Sequence, residues 1–173
     1  LAQYFIRRTL ALELPVADYG CFYSLMAFAG VYALLLDFGF GQITAISVAK
    51  NEAEGTLPQA SRLFKKMFWL RAAISIAGFI LAAALAPLGI KNLLAQSGYP
   101  VFLALCAVPL LSNIDSLCKG AADGFKIFNL KNGIEFARVA FILVFVLLTL
   151  PKLGLWAPAI AFPLSYLFDI LAL

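Results

Sequence analysis

Long runs of apolar residues without a charged side chain dominate the chain. Residues 72–90 and 92–114 carry no charge, and 19–36, 139–151 and 153–168 are shorter runs of the same kind. A helix needs about 20 apolar residues to cross a hydrocarbon core of about 30 Å. The runs are continuous rather than alternating, which is typical of membrane helices and not of barrel strands. The sequence therefore predicts an all-α membrane protein, a polytopic bundle of transmembrane helices.

Residues that favour turns divide these runs into a partial first span and about five full spans. Both ends of the chain fall inside apolar segments. We therefore expect a fragment, truncated at both ends, of a longer polytopic protein, with 1–173 as one transmembrane lobe. The spans are expected at roughly 1–14, 19–50, 62–88, 98–118, 133–151 and 155–173.

Charged residues make up only 13% of the chain, against 64% hydrophobic residues, and the formal net charge is +4. The basic residues flank spans, so the positive charge indicates membrane topology and not a nucleic-acid partner. If each span crosses once, one face carries far more of them than the opposite face, which has Lys91 and Lys152. The positive-inside rule predicts that the rich face and the N-terminus are cytoplasmic. The residues in or near that face are Lys50, Arg62, Lys65, Lys66, Arg71, Lys119, Lys126, Lys131 and Arg138.

Nothing in the sequence predicts a catalytic centre or a metal site. The chain has no histidine, and Cys21, Cys106 and Cys118 show no paired spacing. We interpret these cysteines as small buried hydrophobes. The acidic residues are scattered rather than paired, and no nucleophile or phosphate-loop motif is present. The sequence therefore predicts neither an enzyme nor a bound cofactor.

Charged residues inside spans are costly, by about 2.5–3.5 kcal/mol on insertion scales, and so need a reason. Arg7 and Arg8 lie inside the first span, where they could line a wet cavity and hold an anion such as a diphosphate. The alternative is that they snorkel to the headgroups. Arg71 is a further candidate, although snorkelling towards the cytoplasmic face is slightly favoured for it.

The sequence DFGFG at 37–41 stands near the middle of the 19–50 segment, which would be about 48 Å long as one straight helix. Gly39 and Gly41 weaken a helix and permit close backbone approach. A helix broken at a buried acid is how transporters build binding sites and hinges. We expect either a gating or coupling role for Asp37, Gly39 and Gly41, or packing by the glycines with Asp37 bonded to a neighbouring helix.

Polar residues also occur late in the chain. Asp115 stands in the patch SNIDS (112–116), which fits a cavity wall and an inter-helix hydrogen-bond cluster equally well. Glu135 and Arg138 are spaced i, i+3, which predicts an ion pair on one face of a helix. Asp169 lies in the last apolar segment at a depth that the sequence does not define.

The segment 7–55 resembles the N-terminal part of bacterial polysaccharide flippases, the Wzx-type O-antigen and capsule transporters of the multidrug/oligosaccharidyl-lipid/polysaccharide superfamily. Their pattern is a basic residue, a short turn ending in an acid, Tyr and Gly, an apolar helix, and then an acid and Gly before a helix of small residues. Glu13 departs from the pattern, since many members have glycine before the turn. The matching positions are Arg8, Pro15, Asp18, Tyr19, Gly20, Asp37 and Gly39.

The resemblance implies a multi-pass protein of the bacterial inner membrane with two lobes, of which this chain is most of the first. It implies alternating access that carries an undecaprenyl-diphosphate-linked oligosaccharide outward for lipopolysaccharide or capsule synthesis, driven by a sodium or proton gradient. The implied partners are the lipid-linked substrate, membrane lipids, the C-terminal lobe and a polysaccharide polymerase. Family members often hold the diphosphate with cationic cavity residues, which would here be Arg7, Arg8 and Arg71.

Three other functions stay open at the level of sequence. A multidrug or metabolite exporter of the same superfamily would favour acidic cavity residues. A polytopic membrane enzyme of glycan assembly would need clustered acids or histidine. A purely structural subunit would tolerate changes at Arg8 and Asp37.

Overall fold

A computed structural model describes residues 2–89 and 99–173 of the chain, and these residues form seven helices. Residues 90–98, which include Lys91 and the connection before the predicted span 98–118, lie outside the described residues. 

Numbered in chain order, the helices are α1 (Ala2–Glu13), α2 (Val16–Leu36), α3 (Phe40–Ala53), α4 (Leu57–Gly89), α5 (Tyr99–Gly124), α6 (Phe128–Leu153) and α7 (Trp156–Ala172).

Four of the described helices, α2, α4, α5 and α6, are long and apolar enough to cross a membrane. Helix α7 is equally apolar but has 17 residues. This all-helical arrangement confirms the predicted class, a polytopic helical membrane protein. Much of the outer surface is apolar, as lipid-facing helices require, since lipid tails are as apolar as the side chains that meet them.

The 19–50 segment is two helices, because the chain breaks between Leu36 and Phe40. Gly39 adopts a left-handed φ of 71° there, a conformation that costs glycine little and other residues more. The backbone N–H of Gly39 donates to the side chain of Asp37, which closes a local turn. A second break falls at Pro15, whose φ of −53° suits the residue before a helix.

Helix starts differ from those that capping residues suggest. Asp18, Ser61 and Asn132 look like N-caps in the sequence, yet each lies inside a helix, since α2, α4 and α6 begin at Val16, Leu57 and Phe128. A cap stabilises a helix end by about 1 kcal/mol, and the residues that precede α2 and α6, Pro15 and Ile127, make no side-chain capping hydrogen bond.

Helix α5 is the centre of the bundle and packs against α2, α3, α4, α6 and α7, while α1 packs mainly on α6. Half of an apolar 18-residue stretch of α5 is buried inside the protein, against 22% of the corresponding stretch of α6. Its contact with α3 is close because glycines meet there. A Cβ on Gly120 would collide with the carbonyl oxygen of Gly41, and one on Gly124 would lie 2.6 Å from Cβ of Val48. Small residues therefore set the distance between α3 and α5.

Candidate functional site

Four charged side chains from α5, α6 and α7 form one ionic cluster inside the bundle. On α5, Nζ of Lys119 lies 2.8 Å from Oδ2 of Asp115, one helical turn away. The same Nζ lies 3.0 Å from Oδ2 of Asp169 on α7, which Nε of Arg138 on α6 approaches to 3.0 Å as well. The ionic cluster therefore joins three helices through Asp115, Lys119, Arg138 and Asp169.

The ionic cluster is balanced, with two acids and two bases, which is how charges persist inside a protein. The Asp169 side chain is 0% exposed and depends on its two cationic partners. Glu135 adds a half-exposed carboxylate 3.5 Å from Arg138, which confirms the ion pair predicted from their i, i+3 spacing. Arg138 also stacks on the ring of Tyr166 at 4.6 Å.

A cavity of about 440 Å³ opens between α1, α2, α6 and α7. Two arginines line it, Arg7 from α1 and Arg138 from α6, and we call it the arginine cavity. The guanidinium of Arg7 lies 5.9 Å from the ring centre of Tyr23, and Tyr166 lines the cavity beside Arg138. The remaining walls are mostly apolar side chains such as Phe22 and Phe162. The cavity thus combines two forked cations with apolar walls.

A second cavity, of about 430 Å³, lies between α3, α5, α6 and α7, and we call it the polar cavity. Arg138 and Tyr166 line it too, so these two side chains form the wall shared by both cavities. The other polar and charged residues along it are Gln42, Ser112, Asp115, Ser116, Lys119, Asp123 and Glu135.

The break between α2 and α3 is held by Arg71 from α4. The Arg71 side chain is 1% exposed and donates to the carbonyl oxygen of Leu36, to Oδ1 of Asp37, and to both the backbone and side-chain oxygens of Asn113. Its guanidinium also lies 5.1 Å from the ring centre of Phe40. The expectation that Arg71 snorkels is therefore wrong. Its N–H groups instead bind the carbonyl oxygen of Leu36, at the end of α2, and the oxygens of Asp37 and Asn113.

The three arginines singled out in the sequence do not meet at one place. Arg7 and Arg8 are both exposed, but Arg7 lines the arginine cavity and Arg8 lines neither cavity, whereas Arg71 is buried at the α2–α3 break. Asp115 belongs to the ionic cluster and to the wall of the polar cavity, so both interpretations of the SNIDS patch apply. Asp37 bonds to a neighbouring helix, Gly39 forms the turn, and Gly41 packs on Ser116.

The sequence analysis did not identify Lys119, Arg138 and Asp169 as members of one ionic cluster. One signal was present, because Asp115 and Lys119 have the i, i+4 spacing of a helical ion pair. The partnership of Lys119 with Asp169, 50 positions away, has no local signal. Within residues 2–89 and 99–173, no three His, Cys, Asp or Glu side chains come together as metal ligands.

Comparisons with known proteins give one result. Searches of curated proteins and of solved structures give no significant match. A family model described as polysaccharide biosynthesis protein matches residues 1–173. Together with the helical membrane fold, this match favours a transporter over an enzyme. The chain belongs to the polysaccharide biosynthesis protein family, as a multi-pass membrane protein.

Proposed function

We propose that this chain forms one lobe of a flippase that carries a lipid-linked oligosaccharide across the bacterial cytoplasmic membrane. The substrate is a repeat unit on undecaprenyl diphosphate, and transport proceeds by alternating access between this lobe and a C-terminal lobe. Membership of the polysaccharide biosynthesis family supports the coarse function. The substrate and mechanism are the proposal.

The observation that carries the proposal is the arginine cavity. Two guanidinium groups line one cavity inside a bundle whose long helices can span a membrane. Arginine binds phosphate oxygens through paired hydrogen bonds, so Arg7 suits a diphosphate. Arg138, whose charge Asp169 and Glu135 already balance, adds N–H donors beside it. No described residue forms an ion pair with Arg7, which leaves its charge available for an anion, while the apolar walls suit the first isoprenoid units.

The distribution of basic residues supports an inner-membrane protein with a cytoplasmic N-terminus. Under the proposal, a sodium or proton gradient drives the conformational cycle. Membrane lipids surround the lobe, and a polysaccharide polymerase receives the product on the outer side.

The test is deletion of the full-length gene followed by complementation. We expect loss of surface polysaccharide and accumulation of lipid-linked repeat units on the cytoplasmic side, both restored by the wild-type gene. Arg7→Ala should fail to restore export while reaching the membrane in normal amount. Arg8→Ala is the matched control, because the adjacent arginine does not line the cavity.

Unchanged surface glycan after deletion would overturn the proposal. Drug susceptibility of the same strain would then test the multidrug or metabolite exporter. Equal export by the Arg7→Ala and wild-type genes would remove the arginine cavity from the substrate path.

A further inference from the structure

A third cavity, of about 390 Å³, lies where α3, α4 and α5 approach one end of the bundle, and we call it the apolar cavity. Apart from Ser61 at the exposed rim, its described lining residues are the apolar Val48, Ala60, Phe64, Ala121 and Phe125. A narrow cleft shares Val48, Ala60 and Phe64 with this cavity and continues between α3 and α4 past Leu63 and Met67. An apolar opening with a narrow extension fits a hydrocarbon chain better than a polar ligand.

The length of α5 places the apolar cavity at the depth of lipid headgroups. Counted from Tyr99, an aromatic residue of the kind that marks membrane interfaces, about 20 helical residues cross a hydrocarbon core of about 30 Å. The core then ends near Lys119, and Ala121 and Phe125 lie in the headgroup layer beyond it. The positive-inside rule assigns this side to the cytoplasm, and the cytoplasmic leaflet carries anionic lipids.

Basic side chains without an acidic partner lie at the same end of the bundle. Lys65 is one helical turn from Ser61 on the same face of α4, and Lys126 directly follows Phe125. The exposed bases that form no ion pair with a described residue there are Arg62, Lys65, Lys66 and Lys126.

The nearby acids do not balance these four bases. Glu54 pairs with Lys50 and Asp123 pairs with Lys131. Glu52, at the end of α3, is the remaining acid within 45–70 and 119–131, and all of these residues are described. The excess of positive charge beside an apolar cavity therefore favours an anionic amphiphile.

The backbone at Lys126 is strained. Lys126 has a φ of 58°, and the other described residues with a positive φ are Gly39, Gly55 and Gly154. Glycine adopts this conformation freely, whereas a side chain crowds the backbone. Strain of this kind occurs mainly at ligand-binding and other functional positions. Since Lys126 is exposed and forms no ion pair with a described residue, its charge is free to bind a ligand.

We propose that the apolar cavity binds an anionic phospholipid of the cytoplasmic leaflet. Lys65 and Lys126 hold the phosphate, and one acyl chain enters the cavity over Phe64 and continues into the cleft towards Met67. A zwitterionic lipid binds the same cavity less tightly, because the excess of basic groups repels the cation of its headgroup. This lipid is a resident ligand of the lobe, so the proposal does not depend on the oligosaccharide substrate.

The experiment titrates the full-length protein in neutral detergent with phosphatidylglycerol or with phosphatidylcholine of the same acyl chains. Native mass spectrometry counts the bound lipids and gives an apparent Kd for the first one. We expect phosphatidylglycerol to bind about tenfold or more tightly than phosphatidylcholine, because each basic residue near an anionic headgroup contributes about fivefold.

Lys65→Gln and Lys126→Gly should each weaken phosphatidylglycerol binding about fivefold and leave phosphatidylcholine binding unchanged. Lys152→Gln is the matched control, since this exposed lysine lies at the far end of α6. Ser61→Phe, which fills the rim of the cavity with an apolar ring, should weaken the binding of both lipids. Because glycine adopts a positive φ without strain, Lys126→Gly should keep or raise the unfolding temperature in neutral detergent.

Equal affinity of the wild type for the two lipids would overturn the proposal. A loss in Lys152→Gln as large as that in Lys65→Gln would also overturn it, by showing diffuse attraction to any basic surface. Unchanged binding of both lipids by Ser61→Phe would remove the acyl chain from the cavity. A lower unfolding temperature of Lys126→Gly together with weaker binding of both lipids would show that this lysine has a structural role and does not hold the phosphate.

Discussion

At the scale of single residues, the arginines within the helices differ in what surrounds them. Arg71 is a structural cation whose donors meet backbone and side-chain oxygens of the bundle, whereas Arg7 lines a cavity and forms no ion pair with a described residue. Both are arginines inside apolar helices, so the distinction depends on which acceptors the neighbouring helices bring near them.

We predict that Arg71→Ala destabilises the protein far more than Asp37→Ala. Removing Arg71 leaves the buried side-chain oxygen of Asn113 and the carbonyl of Leu36 without a donor, at a cost of about 1–3 kcal/mol each. Asp37 is 48% exposed, so its loss should cost about 1 kcal/mol or less. Thermal unfolding in detergent compares the two variants. Equal destabilisation would contradict the conclusion that Arg71 holds the break between α2 and α3.

The ionic cluster leads to a second prediction. Arg138→Gln should destabilise the bundle by about 3 kcal/mol, because it leaves Asp169 buried with Lys119 alone. Asp169→Asn should cost a similar amount. The double variant should cost clearly less than the sum, since each single change leaves an unbalanced charge. Additive losses in a double-mutant cycle of unfolding measurements would show that the two side chains do not act together.

At the scale of helices, the sequence predicts much of the pattern because the signals are local. The break within 19–50 follows from an excessive length and two glycines, and the limits of the apolar runs approximate α4, α5 and α6. The pairing of Arg71 with Asp37, 34 positions apart, depends on how α2, α4 and α5 assemble. Arg71 therefore looks like a snorkelling residue when its own helix is considered alone.

Glycine packing gives a prediction for the α3–α5 interface. Gly120→Ala should destabilise the protein by about 1–3 kcal/mol, because the new methyl group would collide with the carbonyl of Gly41. Gly133→Ala on α6 is the matched control, since its Cβ would meet nothing within 4 Å. The control should leave stability unchanged or raise it by up to about 1 kcal/mol. A stability of Gly120→Ala equal to that of the control would contradict the close contact of α3 and α5.

At the scale of the whole molecule, the connections after α3 and α5 should share one side of the membrane, opposite the connection after α6. If α4, α5 and α6 each cross the membrane once, each crossing takes the chain to the opposite side, and this arrangement follows. The positive-inside rule then assigns the first two connections to the cytoplasm. The proposed outward transport of an oligosaccharide made in the cytoplasm depends on that orientation.

Single cysteines test the orientation in intact cells. After Cys21, Cys106 and Cys118 are replaced, Glu54→Cys and Lys126→Cys report the two predicted cytoplasmic connections, and Lys152→Cys reports the opposite side. A membrane-impermeant thiol reagent should label Lys152→Cys in intact cells and the other two after the membrane is opened. The reverse pattern would invert the molecule and contradict the cytoplasmic N-terminus. Labelling of Glu54→Cys and Lys126→Cys from opposite sides would mean that α4 and α5 do not both cross the membrane. The bundle would then lack crossing helices that an alternating-access lobe needs.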